Sequence, residues 1–173
     1  MKAPIYEPEE DSYLLQKYVK KYARGKVLDM GTGSGILALT ALQKTKEVLA
    51  VDINENAIEH VKELGINAKF SDLFSEVEGT FDVIIFNPPY LPENEHDGEM
   101  KAALSGGKEG NELTITFLKE AKKYLNKDGK VLLIASSLAG DITKTFDKLK
   151  YKVIAMETKS FFFEKITAYV LSL

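Results

Sequence analysis

The chain has 173 residues, with 23 basic and 26 acidic side chains for a formal net charge of −3, and that length gives one core of useful size, read as a single domain over residues 1–173. The charge balance offers no general attraction to nucleic acid or anionic lipid, and a lone arginine, Arg24, leaves few bidentate donors for phosphates or guanine edges. Cysteine is absent, which excludes disulfides and thiolate zinc sites.

His60 and His96 are the only imidazoles, and their separation gives no ligand spacing, so no metal site is expected. No apolar run approaches the ~20 residues of a membrane span, and the start lacks the apolar stretch of a secretion signal; the protein is read as cytoplasmic. Residues 8–22 read as a helix. Pro8 suits its first turn, Glu9, Glu10 and Asp11 favour the positive end of the dipole, and Leu14, Leu15, Tyr18, Val19 and Tyr22 recur at helical spacing. Lys17, Lys20, Lys21 and Arg24 form its solvated face. Residues 26–30 are a short strand, 31–35 a turn, 36–43 a helix and 48–51 a second strand. A helix over about residues 54–64 is stopped by Gly65. Residues 68–70 make a third strand, at an edge.

The run Phe81-Asp82-Val83-Ile84-Ile85-Phe86 has the continuous apolar character of a central parallel strand. Pro88 and Pro89 must end it, because neither has an N–H for the ladder. Asn87 precedes a proline and is held extended at the strand's C-terminal tip, where open α/β sheets bind ligands. An amide oxygen, a rigid Pro88 carbonyl and the face of Tyr90 gather there. That set suits a planar nucleophile bearing NH2, with two hydrogens to accept and one π-face to stack on.

Residues 88–110 show no periodicity, and a loop that long is usually functional or mobile. Residues 111–124 are an amphipathic helix, 130–135 a fifth strand and 141–150 a further helix. Residues 151–157 and 165–173 should pair as an antiparallel hairpin. Phe161, Phe162 and Phe163 lie between them and could form a surface cluster near the hairpin, with core packing or a hairpin hook favoured over a ligand box. Five β-α steps and the hairpin describe a doubly wound, mostly parallel, seven-stranded α/β sheet.

Val27 to Gly35 is a strand, a glycine-rich turn and a helix start. Its GxGxG pattern puts Ile36 where a dinucleotide fingerprint needs a third glycine. Gly31 and Gly33 let a ligand approach the backbone closely. Asp29, two residues before Gly31, could bind an ammonium group, which fits an amino-acid-bearing nucleoside better than a pyrophosphate. Asp52 ends the second strand 21 residues after Gly31, where a carboxylate accepts from both ribose hydroxyls. Asp72 could receive an adenine amino group, with Leu73 against the ring. Either aspartate alone reads as a cap or turn residue.

Taken together, these stretches resemble class I S-adenosylmethionine-dependent methyltransferases, which have a Rossmann-like fold. More narrowly, the chain is similar to the HemK/PrmC family, which methylates the glutamine of the Gly-Gly-Gln loop in peptide release factors. The resemblance is carried by Tyr6-Glu7-Pro8-Glu9-Glu10-Asp11-Ser12, the VLDMGTGSG turn, the NPPY motif at 87–90 and Ser105-Gly106-Gly107-Lys108-Glu109-Gly110. The first stretch resembles the short archaeal and eukaryotic branch. Bacterial members have an N-terminal substrate-binding domain for which this chain has no room. The resemblance therefore implies a helper, a small zinc-binding activator protein paired along a sheet edge, with the third strand as the candidate edge.

The resemblance also assigns Ser12, Asp29, Gly31, Gly33, Asp52, Asp72, Leu73 and Asn87 to S-adenosylmethionine. It assigns Asn87, Pro88, Pro89 and Tyr90 to the substrate, with Asn87, Pro88 and Tyr90 as the catalytic set. Asp29 stands where relatives often carry glutamate, one methylene longer. The implied reaction is methylation of the glutamine amide nitrogen (N5) in the release factor. The alternative is N6 methylation of adenine or N2 methylation of guanine in DNA or RNA, since each is an NH2 on a planar π-system. The negative charge argues against that alternative, and no stable nucleic-acid binding is expected of the chain alone. Glu93, Glu95, Asp97 and Glu99 read as a solvated acidic loop.

Overall fold

The computed structural model describes residues 4–92 and 105–173. Its elements are α1 (Glu10–Tyr22), β1 (Lys26–Met30), α2 (Ile36–Leu42), β2 (Glu47–Asp52), α3 (Glu55–Glu63), β3 (Ala68–Phe70) and β4 (Phe81–Phe86). They continue with β5 (Leu91–Pro92), β6 (Ser105–Gly107), α4 (Glu112–Ala121), β7 (Leu125–Ser136), α5 (Thr143–Lys148), β8 (Lys152–Ser160) and β9 (Lys165–Ser172). The main sheet has seven strands in the order β3-β2-β1-β4-β7-β9-β8, with β4 at its centre and β3 at one edge. The first five pair in parallel, and β9 runs antiparallel to both β7 and β8. This is the expected doubly wound sheet with its reversed hairpin.

Period-two alternation divides the sheet between two cores. Val27, Val83, Ile85, Leu132 and Ile134 face α1, α2 and α3 with Leu14, Leu15, Ala38 and Ile58. Leu28, Ile84, Phe86, Val131 and Leu133 face α4 and α5, where Phe117 and Phe146 are fully covered. Both faces of β4 are therefore buried, which explains its unbroken apolar run. Its only outlet is its C-terminal end.

Several boundaries differ from expectation. The first helix begins at Glu10, not Pro8: Glu9 is extended at φ −120° and ψ −166°, so Pro8 lies outside the first turn. That extended lead-in lets Tyr6 fold back onto the helix start. β7 begins at Leu125, five residues early, because its register against β4 shifts between the Phe81 and Val83 pairs, with Asp128 at φ 64°. The segment read as unstructured from 88 to 110 contains the short parallel pair β5–β6. The acidic residues Glu93, Glu95, Asp97 and Glu99 lie outside the described residues. The three phenylalanines are not core: Phe162 and Phe163 are 91 % and 84 % exposed, because the turn carrying them extends past the end of β7. Among the described residues, no helix is long and apolar enough to cross a membrane.

Candidate active site

Strand register places the key residues in one row. Met30 pairs with both Val51 and Phe86, so Gly31, Asp52 and Asn87 emerge side by side at the C-terminal edge of β1, β2 and β4. With ~4.8 Å between neighbouring strands, Asp52 and Asn87 flank the glycine turn about 10 Å apart.

Asn87 is oriented by a residue that the sequence reading left among the helix-dipole acids. Its Nδ2 donates to Asp11 Oδ2 at 3.1 Å and to Ser12 Oγ at 3.3 Å. A carboxylate only accepts, so the nitrogen end of the amide must face Asp11. Asn87 Oδ1 is left buried and without a donor. Asp11 is itself a hub. Its Oδ1 accepts from the Ser12 N–H at 2.5 Å and from Ser12 Oγ at 3.2 Å. Its Oδ2 accepts from Tyr6 Oη at 3.1 Å and Tyr90 Oη at 3.4 Å. Burial, and then the charge of Asp11, push the pKa of both tyrosine hydroxyls well up, so they remain donors. A signal for Asp11 was present: it precedes Leu14, Leu15 and Tyr18 by three, four and seven positions, on the buried stripe of α1, whereas Glu9 and Glu10 point to solvent.

The glycine turn is shaped for close approach. Gly31 and Gly33 have φ of 63° and 51°, and a Cβ on either would come no nearer than 3.4 Å and 3.7 Å to its surroundings. Backbone shape, not crowding, requires glycine there: the Cβ positions are only in ordinary contact with Phe86 and Tyr6. Gly35 differs: at φ 80°, a Cβ would meet Val61 at 2.8 Å, so its absence lets α2 sit against α3. Asp52 grips the turn from the side, with Oδ2 accepting from the Gly33 N–H at 2.9 Å and Oδ1 from the Asn54 N–H at 2.8 Å. Asp29 is fully buried behind it. Its Oδ2 accepts from Thr32 Oγ1 at 2.7 Å and the Ala38 N–H at 3.1 Å, bracing turn to helix, and its Oδ1 has no partner. Desolvation pushes the Asp29 carboxyl up to about 7.

Asp72 and Leu73 follow β3 on the same edge of the sheet. Asp72 is exposed, and its N–H donates to Ser75 Oγ at 3.2 Å. Leu73 adopts φ 46°, a conformation that costs a side chain such as leucine roughly 1 kcal/mol or more. Pro88 is buried, and Pro89 and Tyr90 are half-buried at the mouth. The glycine segment after β5 packs directly on them. A Cβ on Gly106 would lie 2.6 Å from the Pro89 carbonyl oxygen, and one on Gly110 would lie 2.6 Å from that of Tyr90. The sequence pattern alone did not reveal that backbone-to-backbone contact.

The donor set fits a nucleoside bearing an amino acid: a positive-φ turn whose glycines carry no side chains, a carboxylate beside it, and two buried oxygens, on Asp29 and Asn87, without partners. Among the described residues, no group of three or more His, Asp or Glu side chains could hold a metal.

Comparison with known proteins agrees. The family model described as "Methyltransferase small domain" matches residues 7–162. A Methanocaldococcus jannaschii protein, provisionally named a protein N5-glutamine methyltransferase, is 42 % identical over 156 residues, spanning 84 % of this chain and 79 % of that one. A release factor glutamine methyltransferase of Rhodopirellula baltica is 36 % identical over 140 residues, 69 % of this chain; the match spans 47 % of that longer protein. Among solved structures, a chain of the E. cuniculi Mtq2–Trm112 complex, responsible for methylation of the eRF1 translation termination factor, superposes with a TM-score of 0.74. That match has 23 % identity and covers 96 % of each chain.

Proposed function

The chain belongs to the methyltransferase small domain family and is an S-adenosylmethionine-dependent methyltransferase, and from that premise we propose that it methylates the side-chain amide nitrogen of glutamine in the Gly-Gly-Gln loop of a peptide chain release factor. The observation that carries this reading is the Asn87 carboxamide, pinned by its nitrogen to Asp11 and left with an oxygen that has no donor.

An amide nitrogen is a poor nucleophile because its lone pair is delocalised into the carbonyl. Asn87 Oδ1 and the Pro88 carbonyl would accept its two hydrogens and aim the remaining lone pair. Tyr90 would pack on the amide plane, and the Asp11 hub would hold Asn87 and Tyr90 in register. When bound, S-adenosylmethionine supplies an electrophilic methyl on a sulfonium centre. Gly31 and Gly33 would admit it, Asp52 would accept from its ribose hydroxyls, and Asp72 and Leu73 would receive the adenine. Ser12 and Asp29 would lie towards its amino-acid end, where Asp29 has only Oδ1 left to offer. The amide gives up a hydrogen only after the methyl has transferred, so no strong base is required; orientation and fixed dipoles lower the barrier.

The relatives named above support a glutamine substrate, and the solved complex supports a small partner protein. We place that partner, a zinc-binding activator, along the β3 edge. A labelled-methyl assay offering release factor, tRNA, rRNA and duplex DNA, with and without the activator, tests the reading. Label is expected in the release factor alone, more of it with the activator, and none with Asn87→Ala. Label entering nucleic acid instead, or an Asn87→Ala protein of full activity, would refute it.

A further inference from the structure

The aromatic turn between β8 and β9 takes no part in the core or the transfer site. Phe162 and Phe163 are the most exposed large apolar side chains among the described residues, and their rings meet edge to face at 4.4 Å between centroids. Adjacent exposed aromatics of this size usually mark an interaction site. The turn is also held in place. The Phe161 N–H donates to the Glu164 carbonyl at 2.7 Å, Ser160 pairs with Lys165, and Glu164 Oε1 accepts from Ser136 Oγ at 2.6 Å. Lys159, at the base of the turn, bridges to Glu10 at the start of α1 at 2.7 Å.

Its position identifies what would touch it. β9 is antiparallel to β7, so the turn stands at the end of the sheet where the parallel strands finish. Phe86 pairs with Leu133, and Ser136 with Ile166, which puts the turn two strands across from Asn87 and a few residues beyond it. At ~4.8 Å per strand and ~3.3 Å per residue, that is on the order of 20 Å from the carboxamide. Glu164 is close enough to Tyr90 to help keep its hydroxyl protonated, after burial and Asp11. A macromolecule with a side chain in the NPPY site need extend only about that far to reach the turn. At its root, a groove of about 520 Å³ lined by Met156, Thr158, Lys165 and Tyr169 extends the surface.

We propose that Phe162 and Phe163 form a docking knob for the polypeptide that carries the target glutamine, seated in an apolar recess beside that glutamine. The inference rests on the protein-substrate reading above. Charge selects a polypeptide over a nucleic acid. Glu7 and Glu9 are exposed ahead of α1, Glu164 lies in the turn, Glu10 and Lys159 offset each other as an ion pair, and Lys165 is the one unpaired cation among these residues, which leaves the rim acidic by two charges. Such a rim repels phosphates and attracts a basic protein surface.

The test compares the full chain with its Phe162→Ser/Phe163→Ser variant, using purified release factor and, separately, a short Gly-Gly-Gln peptide that cannot span the distance to the turn. The variant's KM for release factor is expected to rise at least about tenfold, with kcat within about twofold and the KM for S-adenosylmethionine unchanged. The peptide should show the same KM with both proteins, and the Tm should stay the same. An unchanged KM for release factor, or an equal loss with the short peptide, overturns the knob. So does a wild-type dimer that the variant abolishes, which would make a second copy the occupant. A wild-type protein that leaves release factor unlabelled defeats the substrate reading before any variant is compared. The knob is then judged on whichever substrate is labelled: turn-dependent labelling of another polypeptide sustains it, and turn-dependent labelling of RNA or DNA overturns it.

Discussion

Asp11 and Asn87 show how a site can depend on the difference between two nearly isosteric groups. A carboxylate at position 11 can only accept, which fixes the amide of Asn87 one way round; an amide at position 11 could donate as well and would let residue 87 turn over. Asp11→Asn is therefore expected to lower kcat about a hundredfold while the Kd for S-adenosylmethionine moves less than about threefold. Steady-state kinetics beside calorimetric titration measure both; a role confined to packing would lower Tm and spare kcat. Asp29 gives a different prediction, about pH. Burial raises its carboxyl from 3.8 to about 7, so over that interval the native chain holds a proton that the unfolded chain releases. Its contribution to stability is therefore complete below about pH 3.8 and is lost as pH climbs through about 7. In Asp29→Asn that dependence disappears. The unfolding free energy of wild type relative to the variant should fall by a few kcal/mol between about pH 4 and about pH 8, read from denaturant melts. A difference that stays flat, or rises, contradicts the buried, protonated acid.

At the scale of elements, the glycine segment from β6 to Gly110 acts as a backstop for NPPY. In Gly106→Ala the new Cβ would lie 2.0 Å from the Gly110 carbonyl oxygen and 2.6 Å from that of Pro89, and both are backbone atoms with no rotamer to escape into. Overpacking of this kind costs roughly 1–3 kcal/mol. Because the strain falls on the carbonyl next to Pro88, activity should drop at least about tenfold along with a lower Tm. Gly65→Ala is the control: nothing lies within 4 Å of its Cβ position, but φ is 80°, so it should lose about 1 kcal/mol and keep its kcat. This contrast also marks what the sequence made legible. Strands β1 to β4, the hairpin and the glycine turn follow local rules of period, breaker residues and φ, and they appear where those rules put them. The β5–β6 pair is too short to show a period, and the contact of Gly106 with Pro89 joins residues that share no pattern. Asp11 was missed because its neighbours Glu9 and Glu10 gave it an adequate local explanation. For Phe161 to Phe163 the surface cluster holds and core packing does not, because an apolar triplet reads equally as either until the length of β7 is known.

For the whole molecule, the open question is which sheet edge a partner would join. β8 is the longer edge, with nine residues and exposed Val153, Ile154 and Met156. It is also guarded: its register against β9 shifts between Val153 and Ala155, and Lys17 and Glu10 hold Glu157 and Lys159 in ion pairs that run along it. A bulge and charged side chains are what natural edges use to prevent pairing. β3 has three residues, Lys69 among them, pairs with β2 on one side without a register shift, and carries Phe70 at 45 % exposure. An added strand would find unpaired backbone there and one aromatic to cover, which suits a small activator better than self-assembly. Phe70→Glu should therefore weaken association with the co-expressed activator at least about tenfold and lower activity on release factor, with little change in the Tm of the chain alone. Ile154→Lys, a comparable insult on the opposite edge, should do neither. Titration of each variant with the purified activator separates the two edges. Loss of binding by the Ile154 variant with the Phe70 variant unaffected would move the partner to β8, onto the strand that leads into the aromatic turn, and would force the activator and the substrate to compete for one surface.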